Sequence, residues 1–429
     1  MVVLLLVLPL GLAIFLLGLF VWTIFKHFLT TEVPSALQHP VKFRILDCVF
    51  IYVMTLGNIL EKLRICSMPS IAQFVLDRLF VKKNDPKVVV TDLRFGTIPV
   101  RLFQPKATAC SSRGGIIFYH GGAALLGSLD SYHNVCVFLA LETDSVLLAV
   151  GYRKLPNYHY PVITSDCLNA SIHFLKTLKT YGVDPSRVVV CGESAGGGIV
   201  AQVTQALVGQ KDLPQIRAQV LIYPSVQCIN FQLPSFQQNQ NVPFLTRDLM
   251  LMCLCKYAAI DLSWRDAMVK GACVPPDTWM RYRKWLSSDN IPQSFKNRFQ
   301  EPQFPGPFNE AAYLETKLLL DVANAPLLAD DEIIAQLPEA FLVSCGSDIL
   351  RDDTLLYKKR LEDQGVPDCL NAVTLFLNSL RAYGVDPSWV VPCGDSTDGR
   401  SLTLVIQALL GKKIFRSRRR ACFIQVFQA

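Results

Sequence analysis

The sequence predicts an α/β fold, a mostly parallel sheet with helices on both faces. Three observations carry that reading. From residue 86 onward, short β-branched and apolar runs alternate with helix-length stretches, the pattern of strands joined by crossover helices. One such run, Val188–Val190, enters Gly192-Glu193-Ser194-Ala195-Gly196, and an apolar helical stretch follows from Gly197 to about Leu207. A strand, a tight turn with serine at its apex and a helix make a nucleophile elbow, whose flanking glycines spare the crowded turn a Cβ. A second strand, Gly115–Tyr119, runs into His120-Gly121-Gly122-Ala123, a loop whose glycines let backbone N–H groups face a developing negative charge.

The chain has 429 residues, of which 51% are hydrophobic, and a mean hydropathy of +0.30. That size supports one large domain with insertions, or two domains. Val2 to Phe25 carries no charge and ends at Lys26-His27. The run is long enough to span a bilayer and shows no small-residue cleavage site, so residues 1–26 read as a transmembrane signal anchor. Lys26, Lys42 and Arg44 follow the span, and charge counting alone would leave the following residues in the cytosol. Residues 27–85 read as an N-terminal helical region. Within it Ile45–Leu60 is apolar but interrupted by Asp47, Gly57 and Asn58. At roughly 16 residues it is short for a span and reads as a helix on the core or at the membrane surface.

The core covers residues 86–367. Val88–Asp92 and Ile98–Pro105 read as a strand pair, and Val146–Tyr152, Ala218–Tyr223 and Ala340–Cys345 continue the series, with a helix over Asp166–Thr180. An insertion at about 227–326 breaks the rhythm. It is rich in aromatic residues and proline (Trp264, Trp279, Trp285, Phe304, Pro305, Pro307) and is expected to sit over the strand ends as a helical cap.

The net charge is +7, yet six of the 42 basic residues lie in the stretch 412–420, leaving 36 against 35 acidic ones. A nearly neutral body argues against nucleic acid as a partner. Fourteen cysteines without a C-x-x-C pair fit neither a zinc ribbon nor a compact disulfide scaffold. No phosphate-binding glycine loop or metal motif stands out, so no cofactor is expected.

A serine hydroxyl needs a base, an acid that orients the base, and donors for the oxyanion. Four motifs bearing on this stand in order: His120-Gly121-Gly122, Tyr152-Arg153-Lys154-Leu155-Pro156, Gly192-Glu193-Ser194-Ala195-Gly196-Gly197 and Ser347-Asp348-Ile349-Leu350-Arg351-Asp352. Together they resemble the hormone-sensitive-lipase group of the α/β-hydrolase fold and, with the N-terminal anchor, the arylacetamide deacetylase-like family. The resemblance runs from residue 1 to about Pro367. It implies a serine esterase or deacetylase, single-pass in the endoplasmic reticulum membrane, with a lumenal catalytic domain, which overrides the charge count. Its substrates would be small esters or amides, acetylated or lipid-like, and its N-terminal helix would contact membrane lipid. Ser194 matches the nucleophile, Gly121, Gly122 and Ala195 the oxyanion donors, and Asp348 the triad acid. Asp348 also suits a helix N-cap, and Asp352 and Asp353 fall inside the following helix. His120 reads as structural.

The family pattern calls for a histidine after one more strand. This chain has six histidines, His27, His39, His120, His133, His159 and His173, all before the elbow. Residues 368–413 instead repeat 166–211 at an offset of 202, without a gap and with more than half the positions identical. The repeat is a divergent copy of the elbow unit. Its serine turn reads Gly394-Asp395-Ser396-Thr397-Asp398, with a charge where the turn needs glycine, and Pro392 replaces a strand valine. His159 or His133 would be the only histidines left to serve the site. Without a base, the expectation is an impaired hydrolase, or alternatively an inactive binding or scaffold protein on the same fold. Asn169-Ala170-Ser171 is a glycosylation sequon, or Asn169 is a helix N-cap. Residues 414–429 form a basic tail.

Overall fold

The computed structural model describes residues 2–31, 33, 40–79, 81–106, 112–367, 390–391 and 423–424. His39, nearly all of the second copy (368–413) and nearly all of the basic tail (414–429) lie outside the described residues. Two short pieces there, Val390–Val391 and Phe423–Ile424, pair in parallel.

Three helices precede the sheet: α1 (Val2–Thr30), α2 (Pro40–Lys62) and α3 (Met68–Leu76). Both α1, over Pro9–Thr30, and α2 are long and apolar enough to cross a membrane. α2 exceeds the stretch expected from sequence because Pro40 suits a first helical turn and Asp47 is paid for by contacts. Asp47 accepts from His27 Nδ1 of α1 at 2.7 Å and from the Phe244 N–H at 2.9 Å. α2 also buries Val53 and Met54 in a cluster with Met68 and Ala72 of α3 and with Leu125, Leu155 and Cys253.

The seven-stranded sheet has the order β1-β2-β4-β3-β5-β6-β7, with β1 Val88–Phe95, β2 Ile98–Pro105, β3 Arg113–Tyr119, β4 Ser145–Val150, β5 Val183–Glu193, β6 Ala218–Ile222 and β7 Glu339–Val343. β2 is antiparallel to both neighbours, and β4, β3, β5, β6 and β7 pair in parallel. Successive side chains in a strand point to opposite faces, so a strand covered on both faces is apolar throughout. The core divides accordingly. Ile117, Tyr119, Leu148, Val188 and Val190 pack with Phe174, Val200 and Val203 of the helices over one face. Their neighbours Ile116, Phe118, Leu147, Val189 and Cys191 pack with Cys136, Leu139 and Ala140 over the other. Those helices are α4 (His133–Thr143), α5 (Val162–Lys176) and α6 (Ala195–Leu207).

α5 begins at Val162, before the predicted Asp166. Asp166 is buried inside the helix, where it takes bonds from the Arg153 backbone N–H, Nε and Nη2 at 2.7–2.9 Å. Asn169 therefore lies mid-helix, exposed, and is not an N-cap. Between β6 and β7 the chain forms short helices, among them Pro234–Gln238, Arg247–Ala258 and Pro276–Leu286.

Candidate active site

β5, an interior strand between β3 and β6, delivers the chain to Ser194 just past its C-terminal end, and α6 carries it away. Ser194 has φ 55° and ψ −122°, a strained conformation for a residue with a side chain. Its N–H donates to Ile222 O at 2.8 Å, which fixes the turn against β6. The turn is this tight because its flanks lack side chains. A Cβ on Gly196 would lie 2.2 Å from Tyr119 O, and one on Gly192 2.4 Å from Gly196 O.

Ala195 is the first residue of α6, so its N–H has no acceptor within the helix and sits at the positive end of the helix dipole. Gly122 has φ 103°, and a Cβ there would lie 2.5 Å from the Leu126 backbone. Gly121 differs from the expectation. Its N–H donates to Glu193 Oε1 at 2.7 Å, so this donor is already committed to a carboxylate. Glu193, beside the nucleophile, also accepts from the Tyr132 hydroxyl, and burial raises its pKa. Of the three expected oxyanion donors, the Gly122 and Ala195 N–H groups remain as candidates, and Gly121 holds the loop.

His120 supports the same loop. Its Nδ1 bonds Gly121 O at 2.7 Å, and its ring stacks on Tyr152 with centroids 4.3 Å apart. Tyr152 Oη donates to His120 O at 2.7 Å. Burial drives the pKa of His120 down to about 3, so the ring is neutral and serves packing and hydrogen bonding.

Asp348 lies in the turn after β7. Its Oδ1 accepts the Leu350 N–H at 3.0 Å, and its own carbonyl accepts Asn239 Nδ2 at 2.8 Å. Burial pushes its pKa up to about 6, and the charge of Glu193 adds to the rise. Asp352 and Asp353, weighed as alternatives, have other work in the helix Arg351–Asp363. Asp352 Oδ2 accepts the Ser235 N–H at 2.6 Å. Asp353 accepts Gln227 Nε2 at 2.9 Å and the Val226 N–H at 3.2 Å. Both bind the first residues of the insertion.

No histidine among the described residues is bonded to Ser194 or Asp348. His27 serves Asp47, and His133 is buried between Arg101 and Phe103. His159 is exposed and bonds Lys256 O, while His173 stacks on Phe95. Neither His133 nor His159 lines the cavity beside Ser194.

That cavity measures about 120 Å³. Ala123, Ala124, Tyr152, Ile163 and Ile199 form its walls on the core side, and Leu245, Met250, Leu254 and Tyr257 come from the insertion. Gln202, Ser225 and Asn324 supply the polar points. An apolar chamber of this kind holds a ligand of low polarity, with the few polar groups fixing its orientation.

Residues 116–280 match a family model described as the alpha/beta hydrolase fold. Human arylacetamide deacetylase-like 4 is 69% identical over 361 residues, covering 84% of this chain and 88% of that protein. Human arylacetamide deacetylase-like 3 is 53% identical, over 82% of this chain and 87% of its own length. The chain belongs to the arylacetamide deacetylase-like family. Bovine arylacetamide deacetylase itself is 33% identical, over 79% of this chain and 86% of its own. Among solved structures, DphMB1 superposes with a TM-score of 0.55 at 24% identity, covering 80% of this chain and 92% of that one. A carboxyl esterase from Tuber melanosporum gives 0.50 at 21%, covering 67% and 77%. These two show the shared fold. The fold is that of an α/β hydrolase, and the family places the chain among hydrolases of the carboxylesterase type.

Glu193, Tyr132 and the Asp352–Asp353 pair were not legible as site-supporting residues. Their partners lie 61 to 127 positions away in sequence, and no local pattern signals such contacts.

Proposed function

We propose that this chain is a membrane-anchored serine hydrolase of the esterase and deacetylase type, strongly impaired because Ser194 has no histidine base. One observation carries the impairment. The sequence has no histidine after His173, and every described histidine is engaged away from Ser194. The substrates are small esters or amides, acetylated or lipid-like, matching the apolar chamber. α1 holds the protein in the endoplasmic reticulum membrane, with the catalytic domain in the lumen.

Ser194 Oγ would attack the substrate carbonyl, and the Gly122 and Ala195 N–H groups would stabilise the resulting oxyanion. The serine proton must leave during that step, and the departing alcohol or amine needs one in return. A histidine relays both, with Asp348 holding its tautomer. Here the proton passes to water, and removing the base from such a triad costs roughly 10⁴–10⁶-fold in rate. The same observation favours a second reading, an inactive protein that binds acylated ligands in the retained chamber.

Turnover of p-nitrophenyl acetate by the full chain in microsomes separates the readings. An impaired hydrolase retains a slow rate that Ser194→Ala removes. A binding protein shows no difference between the two. Turnover equal to that of an active carboxylesterase, and lost in Ser194→Ala, would overturn the proposed impairment.

A further inference from the structure

Residues 63–81 leave an apolar surface uncovered beside the anchor. Leu63, Ile65, Phe74, Leu79 and Val81 are exposed, Phe74 by 60% and Val81 by 75%. Isolated exposed apolar residues are ordinary in a soluble protein, but a cluster of them marks an interaction surface. Three further features say what covers this one.

The first is direction. α1 and α2 run antiparallel, since Phe20 meets Tyr52 and His27 meets Asp47. The Pro9–Gly18 stretch of α1 is exposed almost all round and extends from the body as apolar helix. α2 ends on the side toward which that stretch points, so Leu63 and Ile65 emerge there. The second is charge. Lys62, Arg64, Arg78, Lys82 and Lys83 alternate with the apolar residues along the chain and are exposed; Lys82 pairs with Asp130, and the Arg78 guanidinium lies over the Phe74 ring. The nearby acids are engaged: Glu61 binds Lys256, Asp77 bonds Ser128, Asp85 takes the Lys87 N–H, and Asp130 pairs with Lys82 and Arg101. Exposed apolar side chains interspersed with cations fit the boundary between acyl chains and anionic headgroups. The third is what lies behind. Gln73 of α3 donates to Leu125 O and Leu155 O, both at 2.6 Å. Leu125 follows Ala123 and Ala124 of the cavity wall. Lys256, held by Glu61, belongs to the helix that supplies Met250, Leu254 and Tyr257 to the same cavity.

We propose that the 63–81 surface docks on the phospholipid bilayer beside the anchor and seats the Ser194 cavity against the membrane. α3 and the turn after it then lie in the headgroup layer, and lipid-soluble esters reach the cavity from the bilayer. The proposal rests on α1 being a membrane anchor, and the test keeps the two apart.

The full chain is reconstituted in phosphatidylcholine–phosphatidylserine vesicles carrying a clickable acyl chain. Single p-benzoylphenylalanine replacements are made at Phe74 and Leu79, at Phe15 in α1, and at Met280, an exposed site on the insertion. After irradiation, lipid adducts are expected at Phe74 and Leu79 in yields near that at Phe15, at least about tenfold above Met280. Adducts at Phe15 but none at Phe74 or Leu79 would overturn the docking surface and leave the anchor standing. A cross-link from Phe74 to a protein in place of lipid would overturn it in favour of a protein partner. Absence of adducts at Phe15 as well would overturn the anchor on which it rests.

Discussion

At Ser194 the backbone pays for exposure of the nucleophile with a positive φ of 55°. Strain of this kind is worth of order 1–3 kcal/mol. Ser194→Gly is therefore expected to stabilise the folded chain by about 1 kcal/mol, net of the added flexibility of glycine in the unfolded state. Ser194→Ala, which keeps the Cβ, is expected to leave the thermal midpoint nearly unchanged. Gly196→Ala should act the other way, losing about 3 kcal/mol, because its Cβ would meet Tyr119 O at 2.2 Å. Two buried acids set a pH dependence. Burial holds Asp348 at about 6 and Asp353 at about 7, both above the ordinary 3.8. On these two acids the fold holds protons that the unfolded chain has released, so their contribution to stability falls as pH rises from about 4 to about 7, opposed by His120, which the fold keeps neutral. Asp353→Asn should flatten the upper part of that decline in denaturant titrations. The elbow was legible in the sequence because strand, glycine turn and helix are contiguous. The commitment of Gly121 to Glu193 was not, because the two residues are 72 positions apart.

The sheet was legible at the scale of the element. Buried parallel strands are continuous apolar runs, and β3 to β7 lie where such runs were read, while the antiparallel β1 and β2 lie where the strand pair was read. Helix starts were less clear. Asp166 was the expected start of α5, but the helix begins at Val162 and the Asp166 carboxylate serves Arg153 from inside it, which only the fold shows. The insertion also depends on distant partners. Ser235 and Val226 are tied to Asp352 and Asp353 in the helix after β7. Asp352→Ala would leave the Ser235 N–H and the Arg351 guanidinium without that carboxylate in a buried setting. We expect a loss of about 2–4 kcal/mol in urea unfolding, with the insertion opening first in hydrogen exchange. Asn169, exposed on α5, is expected to carry glycan if the domain is lumenal. A glycosidase-sensitive mass shift that disappears in Asn169→Gln would fix the orientation, and its absence from the wild-type chain would count against a lumenal domain.

For the molecule as a whole, the fold and the family are those of a hydrolase, while the sequence supplies no histidine beyond residue 173. The repeat of 166–211 at 368–413 occupies the place where the family pattern calls for a strand and its histidine. The proposed consequence is a Ser194 that is positioned but not activated. Fluorophosphonate labelling of the full chain in microsomes reads this state directly, since phosphonylation needs an activated serine. We predict labelling far below that of an equal amount of an active esterase, with only a faint signal lost in Ser194→Ala. Labelling as strong as that of the active esterase, and abolished by Ser194→Ala, would contradict it.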